Sequence, residues 1–306
     1  MRVVVAVGGN ALLRRGEPAD AATQQRNIAV AAEQLAKVAE RHQLLIVHGN
    51  GPQVGLLAEE SEHDPTLERG YPLDTLVAET QGMIGYWLAQ SVGRRLPETP
   101  VGALVTQVVV SAADPAFDRP DKPIGPYYPA EEAKRLAGER GWEFTEEERG
   151  MRRVVPSPRP IQVVELPIIR RLLDGGCVVI AGGGGGAPVT ADRTGVEGVV
   201  DKDLVTALLA EQVEADSMVI LTDVPYVYAD YGTPSQRPLV VASPDELDAG
   251  AFAAGSMRPK IEAACAFTRA TGRPASIGSL TELAAVISGT RGTHIRARRA
   301  SGATPA

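Results

Sequence analysis

Val3-Val4-Val5-Ala6-Val7-Gly8-Gly9-Asn10 is the stretch that decides the fold. Five apolar residues without polar alternation have the pattern of a strand buried on both faces, and this one ends in a glycine turn. The same succession occurs twice more. Leu44-Leu45-Ile46-Val47 leads into His48-Gly49-Asn50-Gly51, and Cys177-Val178-Val179-Ile180 leads into the run Gly182 to Gly186. Turns of this kind let backbone N–H groups close on a ligand, because no Cβ intervenes. Bare amide donors suit oxyanions, phosphate above all. Three such turns behind buried strands are expected to line one edge of an open α/β sheet, where ligands of that architecture bind. The expectation is a chain that handles phosphate.

Working outward, helical patterns alternate with the strands. Ala21 to Ala39 and about Asp74 to Val92 carry helical spacing, and a strand over Ala103 to Val110 follows. From Asp114 to Pro160 the texture changes to prolines and charges around one amphipathic helix near Ala130 to Gly138. That segment returns through Val154-Val155-Pro156-Ser157-Pro158-Arg159-Pro160, a stiff, extended tract. It reads as a small subdomain over residues 114–160 that projects over the site and moves as a lid, burying too little apolar surface to be locked in place. The rhythm then resumes with a helix over about Ile161 to Leu173, the Cys177 strand, a helix from Leu204 and a strand over Met218 to Leu221. A final helix starts at Pro259, and a late strand covers Pro274 to Ile277. The tail from Arg296 to Ala306 is basic, rich in small residues and expected to be weakly ordered. Together these features specify an α/β fold: an open, mostly parallel sheet sandwiched by helices, with a small projecting subdomain.

The chain of 306 residues carries a net charge of -7, which argues against a nucleic-acid surface. No apolar run reaches the roughly 18 residues of a membrane helix. The chain opens directly on a core strand, so no signal peptide is expected, and the two cysteines, Cys177 and Cys265, read as small buried hydrophobes of a reducing compartment. A cytoplasmic protein is the expectation.

Against that acidic background the lysines stand out. Asp201-Lys202-Asp203 precedes the helical run from Leu204, and Pro259-Lys260-Ile261 opens a helix with proline at its first position. Both lysines therefore fall in a first helical turn, where the macrodipole disfavours a cation by about 0.3–1 kcal/mol. A bound anion would reverse that sign. The plainer account is a solvated lysine with Asp201 as a simple N-cap, but two lysines beside three glycine turns favour the anion. Lys122, held between Pro120 and Pro123, suits a lysine aimed into a cleft. Of four histidines only His48 adjoins a glycine turn, and a buried hydrogen-bonding role suits it as well as a functional one. The phosphate loop G-x-x-x-x-G-K-[ST] is absent. Gly182-x-Gly184-x-x-Ala187 fits the dinucleotide fingerprint in letters, but Pro188-Val189-Thr190 follows where a helix should. Backbone donors, lysines and aspartates without a catalytic triad or metal cluster suit phosphoryl transfer to an acceptor that is already anionic.

At these residues the chain resembles the carbamate kinases of the amino acid kinase family. The resemblance rests on Gly8-Gly9-Asn10-Ala11-Leu12, His48-Gly49-Asn50-Gly51-Pro52-Gln53-Val54-Gly55, Thr80-Gln81-Gly82, Lys122-Pro123-Ile124-Gly125-Pro126, Val200-Asp201-Lys202-Asp203 and Met257-Arg258-Pro259-Lys260. The segment around Lys122 separates this branch from other members, which usually carry a lysine before the first glycine turn where this chain has Ala6-Val7. The resemblance implies reversible phosphoryl transfer between ATP and carbamate with Mg2+, giving carbamoyl phosphate and ADP, in a homodimer serving arginine or purine-derivative breakdown. It assigns the transferred phosphoryl to Gly8, Gly9 and Asn10 and the carbamate to Gly49, Asn50 and Gly51. Lys122 reaches in from the lid, Lys202 neutralises the phosphoryl, Lys260 the nucleotide phosphates, and Asp203 orients lysines or metal. Thr222, Asp223, Tyr228 and Met257 fall at the nucleotide. No dedicated metal ligands are implied, the Mg2+ travelling on the nucleotide phosphates. The implied lobes are 1–213 for carbamate and phosphoryl and 214–306 for nucleotide. Arg258 and Thr222-Asp223-Val224-Pro225 depart from the usual pattern near the nucleotide. A sister kinase acting on another carboxylate or a phosphonate is the alternative.

Overall fold

The computed structural model of the chain describes residues 1–13, 16–247, 252 and 257–298, with the backbone alone for Asn10 and Ala11. Gly255, Ser256 and the tail beyond Arg298 lie outside the described residues.

The first two apolar stretches form the strands Arg2–Val7 and Gln43–His48, paired in parallel so that Val7 lies opposite His48. Around them runs an eight-stranded sheet in the order Val241–Ala242, Thr293–Ile295, Ala275–Ser279, Ser217–Thr222, Arg2–Val7, Gln43–His48, Val178–Ile180, Val101–Ala103. Six neighbouring strands of it are parallel; Thr293–Ile295 runs antiparallel to Ala275–Ser279. Successive side chains of a strand point to opposite faces, which accounts for the unbroken apolar runs. Val4, Ala6, Leu45 and Val47 face a core shared with the helices Lys202–Gln212 and Arg258–Thr271. Val3, Val5, Leu44 and Ile46 face another, covered by Ala21–Ala39 and Leu73–Gly93. Helices on both faces of a mostly parallel sheet are the architecture expected.

Several elements differ from expectation. Ala103 to Val110 is two strands in different sheets, Val101–Ala103 and Gln107–Val109. The break falls at Thr106, whose N–H donates to Gln81 Oε1 at 2.9 Å while its carbonyl accepts from Gln81 Nε2 at 3.2 Å, so a side chain replaces the neighbouring strand. The helix expected from Ile161 begins at Leu166, after a short strand Gln162–Val163. A helix over Gly51–His63 is unannounced in the sequence, because Gly51, Pro52 and Gly55 all weaken the helical signal. The helix at Pro259, which starts at Arg258, is not the final one, since Leu283–Ile287 and the strand Thr293–Ile295 follow.

The third glycine run is required by close packing. All of Gly182 to Gly186 is buried, and a Cβ on Gly183 would come within 2.2 Å of His48 Nε2 and one on Gly184 within 2.1 Å of Asn50 Nδ2. The run lies beneath the second turn and supports it. As its failed helical context required, it continues into a strand, Ala187–Val189.

The projecting segment folds as a three-stranded antiparallel sheet, Lys122–Tyr128, Gly150–Val155 and Glu143–Glu147, with the helix Ala130–Arg140 against it. Tyr128, Ala133, Leu136 and Trp142 make its own small core. Its root is packed more firmly than its composition suggested. Ile124 and Val155 are buried with Val54, Leu76 and Val199 of the main body. A Cβ on Gly55 would stand 2.1 Å from Gly125 Cα, so the two backbones meet there directly.

Candidate active site

The parallel register brings the ends of three central strands together. Gly8 follows Val7, Gly49 follows His48, and Thr222 ends the strand on the other side. The turns touch: a Cβ on Gly49 would lie 2.9 Å from Gly9 N and 3.4 Å from Lys202 Cδ, and one on Gly8 would lie 3.1 Å from Leu221 O. Only glycine lets these backbones and the lysine approach so closely. Asn50 turns inward, its Nδ2 donating to Thr80 Oγ1 at 2.8 Å. Because its side chain does not cap the helix Gly51–His63, the start of that helix keeps its amide donors for another partner.

Lys202 and Lys260 sit in the first turns of their helices, as expected. They converge on Asp203, whose Oδ1 lies 2.5 Å from Lys202 Nζ and whose Oδ2 lies 3.2 Å from Lys260 Nζ. The Asp203 side chain is only 4% exposed. Burial alone would raise its pKa, but the two ammonium groups outweigh burial and hold it well below the usual carboxylate range. Burial pushes the Lys202 ammonium downward in turn, opposed by Asp203. Lys122 arrives from the projecting subdomain and pairs with Asp201 Oδ2, while Asp201 Oδ1 accepts from the Asp203 N–H at 2.8 Å and caps the helix. Three ammonium groups, those of Lys122, Lys202 and Lys260, thus gather on Asp201 and Asp203. Ammonium groups held in the largely buried edge of the sheet, where charges act strongly, suit an anionic ligand.

His48 is resolved in favour of its structural role. It is buried, its Nδ1 donates to Gly49 O at 3.0 Å, and desolvation first, with Lys202 beside it, pushes its pKa down to about 4. So low a pKa makes the neutral imidazole a weak base at neutral pH, and its ring is bound to its own loop.

Among the residues expected at the nucleotide, Thr222 Oγ1 donates to Asp223 Oδ1 at 3.1 Å. Met257 precedes the helix that carries Lys260 and packs against the core. Tyr228 belongs to an aromatic group with Tyr226 and Tyr231 at the hairpin Val227–Ala229 and Arg237–Leu239. The side chain of Asn10 lies outside the described residues. Asp201 is the site residue that sequence reasoning undervalued; the signal was the Asp-Lys-Asp triplet itself, read only as a cap.

The profile of the amino acid kinase family matches residues 1–279. The chain belongs to that family. Within it, the chain is 48% identical to the carbamate kinase of Haemophilus influenzae over 300 residues, covering 96% of each chain. It is 50% identical to that of Escherichia coli strain K12 over 293 residues, covering 96% of this chain and 98% of the relative. Among solved structures, carbamate kinase from Giardia lamblia bound to AMP-PNP superposes with a TM-score of 0.89 at 38% identity, covering 97% of this chain and 98% of that one.

Proposed function

We propose that the chain transfers a phosphoryl group reversibly between ATP and carbamate, giving carbamoyl phosphate and ADP. The observation that carries this reading is the convergence of Lys122, Lys202 and Lys260 on Asp201 and Asp203 beside the touching turns at Gly9 and Gly49. Similarity to carbamate kinases over nearly the full chain supports it.

In this reading the lobe 1–213 takes carbamate at Gly49, Asn50 and Gly51, and 214–306 takes the nucleotide at Thr222, Asp223, Tyr228, Met257 and Lys260. Gly8, Gly9 and Asn10 hold the phosphoryl group passing between them. The attacking carbamate oxygen is already anionic, so the reaction needs positioning and charge neutralisation rather than a base. Lys202 meets the charge that spreads over the transferring phosphoryl oxygens, and Lys260 meets the nucleotide phosphates. Asp203 holds the two lysines at fixed spacing, one on each oxygen. Among the described residues no group of three His, Cys, Asp or Glu could form a metal cage, and both Asp203 oxygens carry lysines. That donor set fits Mg2+ brought by the nucleotide, which would neutralise phosphate charge when bound. The subdomain 114–160 closes over the site, excluding water from a substrate that decomposes readily. A cytoplasmic homodimer serving arginine breakdown completes the reading. The exposed Tyr86 and Val105 near the edge strand Val101–Ala103 supply apolar surface for pairing.

The test is a coupled assay of ATP formation from ADP and carbamoyl phosphate, with acetylglutamate and a phosphonate offered with ATP in parallel. ATP formation that requires divalent metal is expected. A preference for either alternative acceptor would transfer the chain to a sister activity, and turnover surviving thorough chelation would remove Mg2+.

A further inference from the structure

Lys122 opens its strand opposite Val155, at the root of the projecting subdomain rather than its tip. The residue after Val155, Pro156, accepts a hydrogen bond through its carbonyl from Val199 N at 2.9 Å, two residues before Asp201. Ile124, Val155 and Val199 share one buried cluster. The subdomain root and the Asp201 segment are thus stitched together, and Asp201 completes the stitch by ion pairing with Lys122. Its two oxygens serve different masters: Oδ2 takes the Lys122 ammonium, Oδ1 the amide that starts the helix carrying Lys202 and Asp203. A cap alone needs one oxygen and no charge.

We infer that Asp201 is a positioning residue for the reaction: it holds Lys122 in the site before substrate arrives and fixes it relative to Lys202. This rests on the carbamate kinase reading for its substrate and deepens it. A lysine has many rotamers, and the Lys122 side chain is 31% exposed, so without Asp201 it samples solvent. Ordering it in advance spares the substrate that entropy.

The test is a double-mutant cycle of Asp201→Asn with Lys122→Ala, read as kcat/KM for carbamoyl phosphate. Asparagine caps helices as well as aspartate, so the substitution removes the charge and keeps the cap. Asp201→Asn alone should lose about tenfold or more, the scale of coupling between groups in one ion pair. In the Lys122→Ala background it should change kcat/KM by no more than about twofold. Losses that multiply would overturn the inference. Hydrogen exchange of the ligand-free proteins gives an answer independent of activity: amides of residues 122–128 should exchange faster in Asp201→Asn, with the helix start at 203–206 unchanged. Unaltered exchange over 122–128, or acceleration confined to the helix start, would also overturn it. Should Asp201→Asn fail to fold, Asp201→Ser, another good cap, takes its place. Failure of the wild type to form ATP from carbamoyl phosphate would defeat the functional reading alone, and the exchange comparison would still decide the role of Asp201.

Discussion

The sheet edge and the projecting subdomain both deliver lysines to one site, by opposite means. At the edge, Lys202 and Lys260 stand on helices packed against the main core, their side chains 13% and 15% exposed, clamped by a buried aspartate. Lys122 stands on a strand of a small three-stranded sheet, is 31% exposed, and is held by one aspartate at the subdomain's root. In the proposed reaction, the groups that neutralise charge in the transition state are those fixed in the poorly solvated edge, where preorganisation is strongest. In the proposed reaction Lys122 belongs instead to the subdomain that encloses the small substrate. The same division explains why the subdomain has a packed root around Ile124 and Val155 yet a core of its own at Tyr128 and Trp142.

The comparison breaks first at Asp203. Asp203→Ala removes the buried carboxylate that both ammonium groups meet, so the ligand-free protein should lose about 3–5 kcal/mol of stability, as for a buried pair that loses one partner. Denaturant unfolding measures this, and an unchanged midpoint would mean that the lysines relax into solvent. Lys202→Ala should instead lower kcat by about 10²–10³, since it removes charge used in the transition state. Ligand-free stability should hardly move, because Asp203 keeps Lys260. A large loss of stability with near-normal turnover would reverse the assignment.

The edge also predicts a pH dependence through His48. Its folded pKa, about 4, lies below its ordinary value of 6.5, so between these pH values the unfolded chain binds a proton that the folded one refuses. The favourable contribution is therefore complete above pH 6.5 and is lost as pH falls toward 4, about 3 kcal/mol in all. His48→Asn should flatten the fall of Tm with pH across that window; an unchanged slope would show that other groups control it. The smallest effect belongs to the subdomain's root. Gly55→Ala drives a Cβ into Gly125 and should cost about 1–3 kcal/mol of local packing. Exchange over 122–128 should quicken and KM for carbamoyl phosphate rise several-fold, with kcat nearly kept. A loss confined to kcat would place the disturbance in the edge instead.

Much of this division was legible in the sequence. Unbroken apolar runs marked the doubly covered strands, and proline before Lys260 and the Asp-Lys-Asp triplet marked both helix starts. The packing duty of the third glycine run was not legible, because a buried close approach and an anion turn demand the same residue. The break at Thr106 depends on Gln81, 25 positions away, and no local pattern announces it. Proline and charge in 114–160 concealed the contact of Gly55 with Gly125, which exists only once both backbones are folded. The second duty of Asp201 was hidden for the same reason: Lys122 is 79 positions distant.

The most direct test of the division is ADP affinity, measured by calorimetry, in Lys122→Ala and Lys260→Ala. The account predicts that Lys122→Ala binds ADP within about twofold of wild type while losing turnover, and that Lys260→Ala weakens ADP by about tenfold or more, as expected for loss of a charged contact to phosphate. Weakened ADP binding in Lys122→Ala with normal binding in Lys260→Ala would contradict it.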